Sequence, residues 1–440
     1  MKFRTLILLL IVATLTSMAA TVSPHAARLS VQPLATATSI PMLSGTTQAI
    51  GVAPGSQTNP SVTCNVASYT SDDFEGSSSI HYFDFATNTD HVVPGNGLDR
   101  LSETDGQKIV FTQLDGTGDH IGVYDIASQT TTFIGGNGNS DPALGGNLIA
   151  FRHGEGLSEI GEIFVSDRSS GVVLPLSYND VPDWSPEVSP DGHVVVWQTC
   201  QVGHAGCSIY ASVLNSEGTL FSSHLVSGTG ENAFPDTNGQ LIVYTSQRNG
   251  ENDIYFQTVA GSTEMRLALP GDQRDVRISG NLLVFESQVA DKSWDVFVYE
   301  LSTARLYQVT NTPNVDETLS DIATGCNGVN RIVYSVPGTF GDFDVYAFTF
   351  QLSESTTDQL NDLITVVRGF NLHDGIEVSL ISKLQDALAA INSSDTATAC
   401  ASLTAFINAS QAQLGKKLTS EQVKQLVDAA TEVKAGLGCQ

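Results

Sequence analysis

The sequence predicts a mainly-β chain: a seven-bladed β-propeller, with six blades as the alternative, followed by a small all-α domain. Three observations carry this. A two-strand phrase recurs seven times, its spacing stays between 40 and 49 residues, and the apolar pattern turns from strand-like to helical near residue 352.

The first strand of each phrase is read at 66–71, 108–113, 148–153, 194–199, 241–246, 282–287 and 331–336. The second is read at 79–85, 120–126, 162–168, 208–214, 253–259, 295–301 and 344–350. From Ile109 the matching positions are Ile149, Val195, Ile242, Leu283 and Ile332, at steps of 40, 46, 47, 41 and 49. Strands such as Leu241-Ile242-Val243-Tyr244 are apolar on both faces, so each must be covered on both sides, as a propeller blade is by its neighbours. Outer strands follow at 130–135, 172–177, 221–227, 265–270 and 305–310, and inner lead-in strands such as 275–280 open the next repeat. An irregular stretch at 66–85 would reduce the count to six.

The last repeat has no outer strand of its own, because the chain turns helical soon after Phe350. An unclosed ring exposes two sheet edges, and a strand from before Cys64 is the expected closing piece. Cys64 lies in the first repeat and Cys326 in the last, which a closed ring makes neighbours, so they are expected to pair. By loop entropy such a bridge contributes roughly 5 kcal/mol. Cys200 and Cys207 flank one hairpin loop and are expected to tie it locally, leaving Cys400 and Cys439 as the third pair.

The segment Pro182-Asp-Trp-Ser-Pro-Glu-Val-Ser-Pro-Asp-Gly192, with Val194-Val-Val-Trp197 after it, resembles the propeller repeats of the TolB family (PD40 type). So do Asp253-Ile-Tyr, Asp295-Val-Phe and Asp344-Val-Tyr. The resemblance covers about residues 60–352 and implies the fold. The TolB role is not carried over, because no N-terminal α/β domain is seen and a helical domain is added at the other end.

Helical stripes run through Leu360, Leu363, Ile364 and Val367; through Leu380, Leu384 and Leu388; through Leu403 and Phe406; and through Val423, Leu426 and Val433. Thr419 with Gln422 reads as a capping box. Ser379-Leu-Ile-Ser-Lys-Leu384, Ala405-Phe-Ile-Asn408 and Gly415-Lys-Lys-Leu-Thr419 resemble the FIMAH domain, which implies an accessory docking module and no catalysis. The domains are thus a signal peptide at 1–19, a flexible leader at 20–60 with room for the closing strand, the propeller at 61–352 and the four-helix domain at 353–440.

The signal peptide is read from Lys2 and Arg4, the apolar run 6–15 and the small residues Ser17 and Ala19. With six cysteines it predicts a secreted bacterial protein, periplasmic or extracellular. The chain carries a net −27, and residues 29–352 hold −26 of it. That balance argues against nucleic acid and anionic membranes as partners, and a monomer is expected.

No GxSxG or HExxH occurs, and 88 residues after the propeller are too few for an α/β-hydrolase domain. No catalytic residue is assigned. Six hairpin loops carry acids: Asp72, Asp73 and Glu75; Asp115 and Asp119; Glu155 and Glu159; Glu251 and Asp253; Asp291 and Asp295; Asp342 and Asp344. They would form an acidic ring on one face. Clustered carboxylates suit calcium or a basic partner, whereas the plain alternative makes each a turn residue. The expected function is a non-enzymatic binding or interaction protein with a protein or glycan partner. A polysaccharide lyase or hydrolase, which needs a carboxylate pair converging in the channel, and a ligand-free display protein are the alternatives.

Overall fold

The computed structural model describes residues 40–440 apart from 155–159, 203–205, 215–220, 229, 262, 289–292, 339–340, 353–355, 371, 373 and 440. The stretch read as a signal peptide, 1–19, lies outside the described residues, as does the part read as leader before residue 40.

Seven four-stranded antiparallel sheets form the ring, so the fold is a seven-bladed propeller. The inner strands are Ser56–Val62, Asp99–Thr104, Asn139–Gly145, Asp183–Val188, Asn232–Thr237, Gln273–Ser279 and Thr318–Cys326. They open blades 1 to 7 in chain order. Residues 56–60, read as leader, open the first of them, Ser56–Val62. That uncharged stretch is ordered by backbone pairing with Val66–Asp72 rather than by a large apolar face.

The second strands are buried on both faces; Leu241–Ser246 has six buried residues in succession. At the centre of five hairpins two large aromatic side chains face one another across the register. Phe151 stacks with Phe164, Trp197 with Tyr210, Tyr244 with Tyr255, Phe285 with Phe297 and Tyr334 with Tyr346, at centroid separations of 5.9–6.3 Å. In blade 2 the partner of Phe111 is Gly122, and a Cβ there would lie 2.4 Å from the ring. The cores lie between blades. Leu283 and Phe285 of blade 6, for example, share a cluster with Val243 and Phe256 of blade 5.

The ring closes through strand Gly45–Gly51, which pairs antiparallel with Phe343–Phe350 as the outer strand of blade 7. Just before it, the Leu43 N–H donates to the Gln308 carbonyl (2.8 Å) and the Gln308 N–H to that of Pro41 (3.0 Å), so the arm also lies along blade 6. Cys64 and Cys326 form a disulfide across the same junction, and the other bridges are Cys200–Cys207 and Cys400–Cys439.

The chain divides into two compact units, the second being Gln351–Gln440. That unit holds α1 (Thr356–Gly369), α2 (Asp374–Asn392), α3 (Thr396–Gln411) and α4 (Ser420–Gly436). Leu360, Val367, Leu384, Leu403, Phe406, Leu426 and Val433 meet in one core. The capping box at Thr419 and Gln422 opens α4. No helix of the described residues is long and apolar enough to cross a membrane.

Candidate functional site

Every inner strand carries the same irregularity. The ladder shifts register between Thr58 and Ser61, and again at the matching place in the other six blades. At each bulge one residue takes positive φ: Asn59, Leu101, Asp141, Ser185, Phe234, Asp275 and Leu319, at 47° to 57°. In four blades proline follows (Pro60, Pro142, Pro186, Pro235), so the bulge leaves no N–H to satisfy there.

Two residues beyond the bulge, six of the seven blades set a side chain on the channel: Ser61, Glu103, Glu187, Asp236, Arg277 and Asp321; the matching Ala143 of blade 3 is buried in the core shared with blade 4. Asp141 and Asp275, at the bulge, line the same cavity of about 650 Å³. Ring residues of adjacent blades are tied by backbone. The Leu144 N–H donates to Glu103 Oε2 (2.9 Å), that of Ile278 to Asp236 Oδ2 (2.7 Å) and that of Val62 to Asp321 Oδ2 (2.7 Å). Thr104 N–H donates to Ser61 Oγ (3.4 Å), and Ser185 N–H to Asp141 Oδ2 (3.0 Å). Each bond joins one blade to the next, and the one to Asp321 crosses the closing junction.

Glu187 departs from this scheme. Its carboxylate meets the Arg277 guanidinium, two blades away, in an ion pair. The ring therefore sets four carboxylates against one arginine. These side chains are walled by protein yet keep part of their surface on the channel; Glu187 is 17% exposed and Arg277 32%. Burial pushes Glu187 up to about 8 despite Arg277, helped by Asp236, Asp141 and Asp321. It pushes Asp321 up to about 6, against the pull of Arg277 and the Val62 N–H. Burial also raises Glu103, Asp236 and Asp141. Burial works against the Arg277 charge, but Glu187, Asp236, Asp321 and Glu103 outweigh it and hold the guanidinium ionised.

Several of the hairpin-loop acids are engaged within their own blade. Asp73 Oδ1 accepts the Glu75 and Ser77 N–H groups. Asp115 accepts from Thr117 and contacts His120, and is held down to about 2, chiefly by those Thr117 bonds. Asp119 pairs with Arg100 (3.2 Å) and Asp253 with Arg266 (2.8 Å). Asp295 is fully buried and accepts from Gln308, Thr310 and Thr312. Asp344 is raised by partial burial and by Asp342 beside it. Burial and its neighbour Asp73 likewise raise Asp72. Glu155, Glu159 and Asp291 lie outside the described residues. Among the described residues no group of three His, Cys, Asp or Glu is arranged to hold a metal ion.

Among the histidines, His120 Nε2 lies 2.9 Å from Thr117 Oγ1 and 3.1 Å from Asp115 Oδ1. Both partners meet the same nitrogen, whereas a catalytic triad uses both ring nitrogens. His81 pairs with Asp90 (2.8 Å), which also accepts from the buried Tyr69 hydroxyl (2.6 Å). Ser189-Pro-Asp-Gly192 is a tight turn, closed by Gly192 N–H to the Ser189 carbonyl (2.8 Å).

No protein-family model matches the chain, and no curated protein matches it. Solved structures do. The β-propeller domain of the trilobed protease from Pyrococcus furiosus, described as having an open velcro topology, is 12% identical with a TM-score of 0.52. That match covers 69% of this chain and 99% of that one. Pyrococcus horikoshii acylaminoacyl peptidase is 11% identical with a TM-score of 0.51, over 68% of this chain and 52% of the peptidase. This chain thus spans about half the length of that enzyme. TolB from Acinetobacter baumannii is 14% identical with a TM-score of 0.39, over 66% of this chain and 79% of TolB. At such identities the likeness is one of fold.

Proposed function

We propose that this chain is a binding protein whose ligand site is the propeller channel, and that the group it receives is cationic. The observation that carries this is the ring itself, where Glu103, Glu187, Asp236 and Asp321 face a cavity against the single Arg277. Carboxylates on a walled channel focus negative potential and attract a cation. Their raised affinity for protons has the same origin, so an arriving cation displaces protons from them.

A polysaccharide lyase or hydrolase would need a carboxylate pair free to exchange protons with substrate. Several acids do converge in the channel, as that reading requires. However, Glu103, Asp141, Asp236 and Asp321 each accept a backbone N–H, and Glu187 is held by Arg277. This commitment favours fixed potential over proton transfer. The three disulfides support work in an oxidising compartment, outside the cytoplasm. The FIMAH-like helical unit is assigned the accessory docking role.

Titration calorimetry with spermidine tests the channel reading, run near pH 7 in buffers of different ionisation enthalpy. Binding accompanied by proton release, and weakened at least about tenfold in Glu187→Gln and Asp236→Asn, is the expected result. Absence of binding, or binding that both variants leave unchanged, overturns it.

A further inference from the structure

The bulge residues form a second collar, one step along the channel from the charged ring, and its composition is uneven. Asn59, Asp141, Ser185 and Asp275 are polar; Leu101, Phe234 and Leu319 are apolar and line the same cavity. Polar Asn and Asp tolerate positive φ, but a bulky aromatic there is unusual. Phe234 nevertheless holds φ of 51° and is 46% exposed, so no buried core explains its side chain. It precedes Pro235 and stands two residues before the ring carboxylate Asp236. A strained, exposed aromatic in a cavity beside carboxylates has the chemistry of an organic-cation site, where hydrocarbon lies on the ring and the charge sits on the acids.

Resting on the channel reading above, we infer that the cation arrives on an apolar stem. The ligand class is an alkylammonium, either a free amine or a lysine side chain of a peptide. Phe234, which lines the cavity together with Leu101 and Leu319, is the residue that selects it over a bare cation. A calcium ion would gain nothing from this apolar wall, and an inorganic ammonium ion little.

The test compares n-hexylammonium, methylammonium and acetyl-lysine-amide on the full chain by calorimetry. Hexylammonium is expected to bind at least about tenfold more tightly than methylammonium. Phe234→Asn should bring the two affinities together, and asparagine suits the φ of this position, so this variant should fold. Phe234→Leu, which keeps an apolar side chain, should retain part of the preference. Equal affinity of the two amines, with Glu187→Gln weakening both, overturns the inference and leaves the channel reading standing. If neither amine binds, the inference falls, and the spermidine titration decides whether the channel reading falls with it. Acetyl-lysine-amide binding as tightly as hexylammonium assigns the stem to a peptide side chain; much weaker binding assigns it to a free amine, and either agrees with the inference.

Discussion

Glu187 and Asp321 show how one side chain in the ring reports on its surroundings. An unfolded glutamic acid titrates near ~4.3 and an aspartic acid near ~3.9. In the folded channel Glu187 stands at about 8 and Asp321 at about 6. Between the two values the folded chain holds protons that the unfolded chain has released, so stability falls as pH rises through that window. We expect the melting temperature, followed by circular dichroism, to fall from pH 5 to pH 8.5. Glu187→Gln should flatten the upper part of that fall, where the native glutamate ionises; an unchanged slope would show that channel water screens the group. Asp321 also holds the Val62 N–H across the closing junction. Asp321→Ala leaves that donor unpaired and should lower unfolding free energy by ~1–3 kcal/mol in urea titrations. Asp321→Asn retains an acceptor oxygen and should stay closer to the parent, with less pH dependence between about 4 and 6.

Blades touch along their inner strands closely enough that a missing side chain becomes structural. A Cβ on Gly145 of blade 3 would lie 2.1 Å from the backbone oxygen of Ser189 in blade 4. Backbone cannot swing aside as a side chain can, so Gly145→Ala should destabilise the chain by about 2 kcal/mol or more, read by denaturant midpoint. The closing strand Gly45–Gly51 makes a second prediction at this scale. Without it the edge of Phe343–Phe350 is exposed. A chain starting after Gly51 should self-associate, seen by light scattering at concentrations where the full chain stays disperse.

For the whole ring, the Gly45–Gly51 strand, the Asp321 to Val62 bond and the Cys64–Cys326 disulfide meet at the closing junction, over an apolar core shared by blades 1 and 7. The bridge spans 262 residues, and its removal in Cys64→Ser/Cys326→Ser should reduce stability by roughly 5 kcal/mol in the loop-entropy picture. Cys400–Cys439 spans 39 residues and should contribute about 4 kcal/mol to its own unit. Calorimetry of the two variants should show the first lowering the propeller transition and the second the helical one. A common shift of both transitions would show the two units to be thermodynamically coupled.

The sequence alone pointed to the propeller, its closing strand and its cysteine pairs, with seven repeats favoured over six; the seven sheets of the structure decide the number. The propeller and its closing strand follow from periodicity, Cys64–Cys326 from neighbourhood in a closed ring, Cys200–Cys207 from flanking one loop, and Cys400–Cys439 as the pair that remains. Of the acids read as an acidic ring, Asp73 and Asp115 serve as turn acceptors and Asp119 and Asp253 as ion-pair partners. The charged ring was harder to see, although a trace of it is present. Ser61, Glu103, Asp236 and Arg277 each stand six residues before the matching core position of their repeat. Glu187 stands eight before Val195 and Asp321 eleven before Ile332, because longer turns intervene, and this blurs the period. Only the tertiary structure decided that these residues share a cavity. The bulge turns each inner strand by an amount that no alternation rule encodes, and ring closure sets Glu187 against Arg277, 90 residues away.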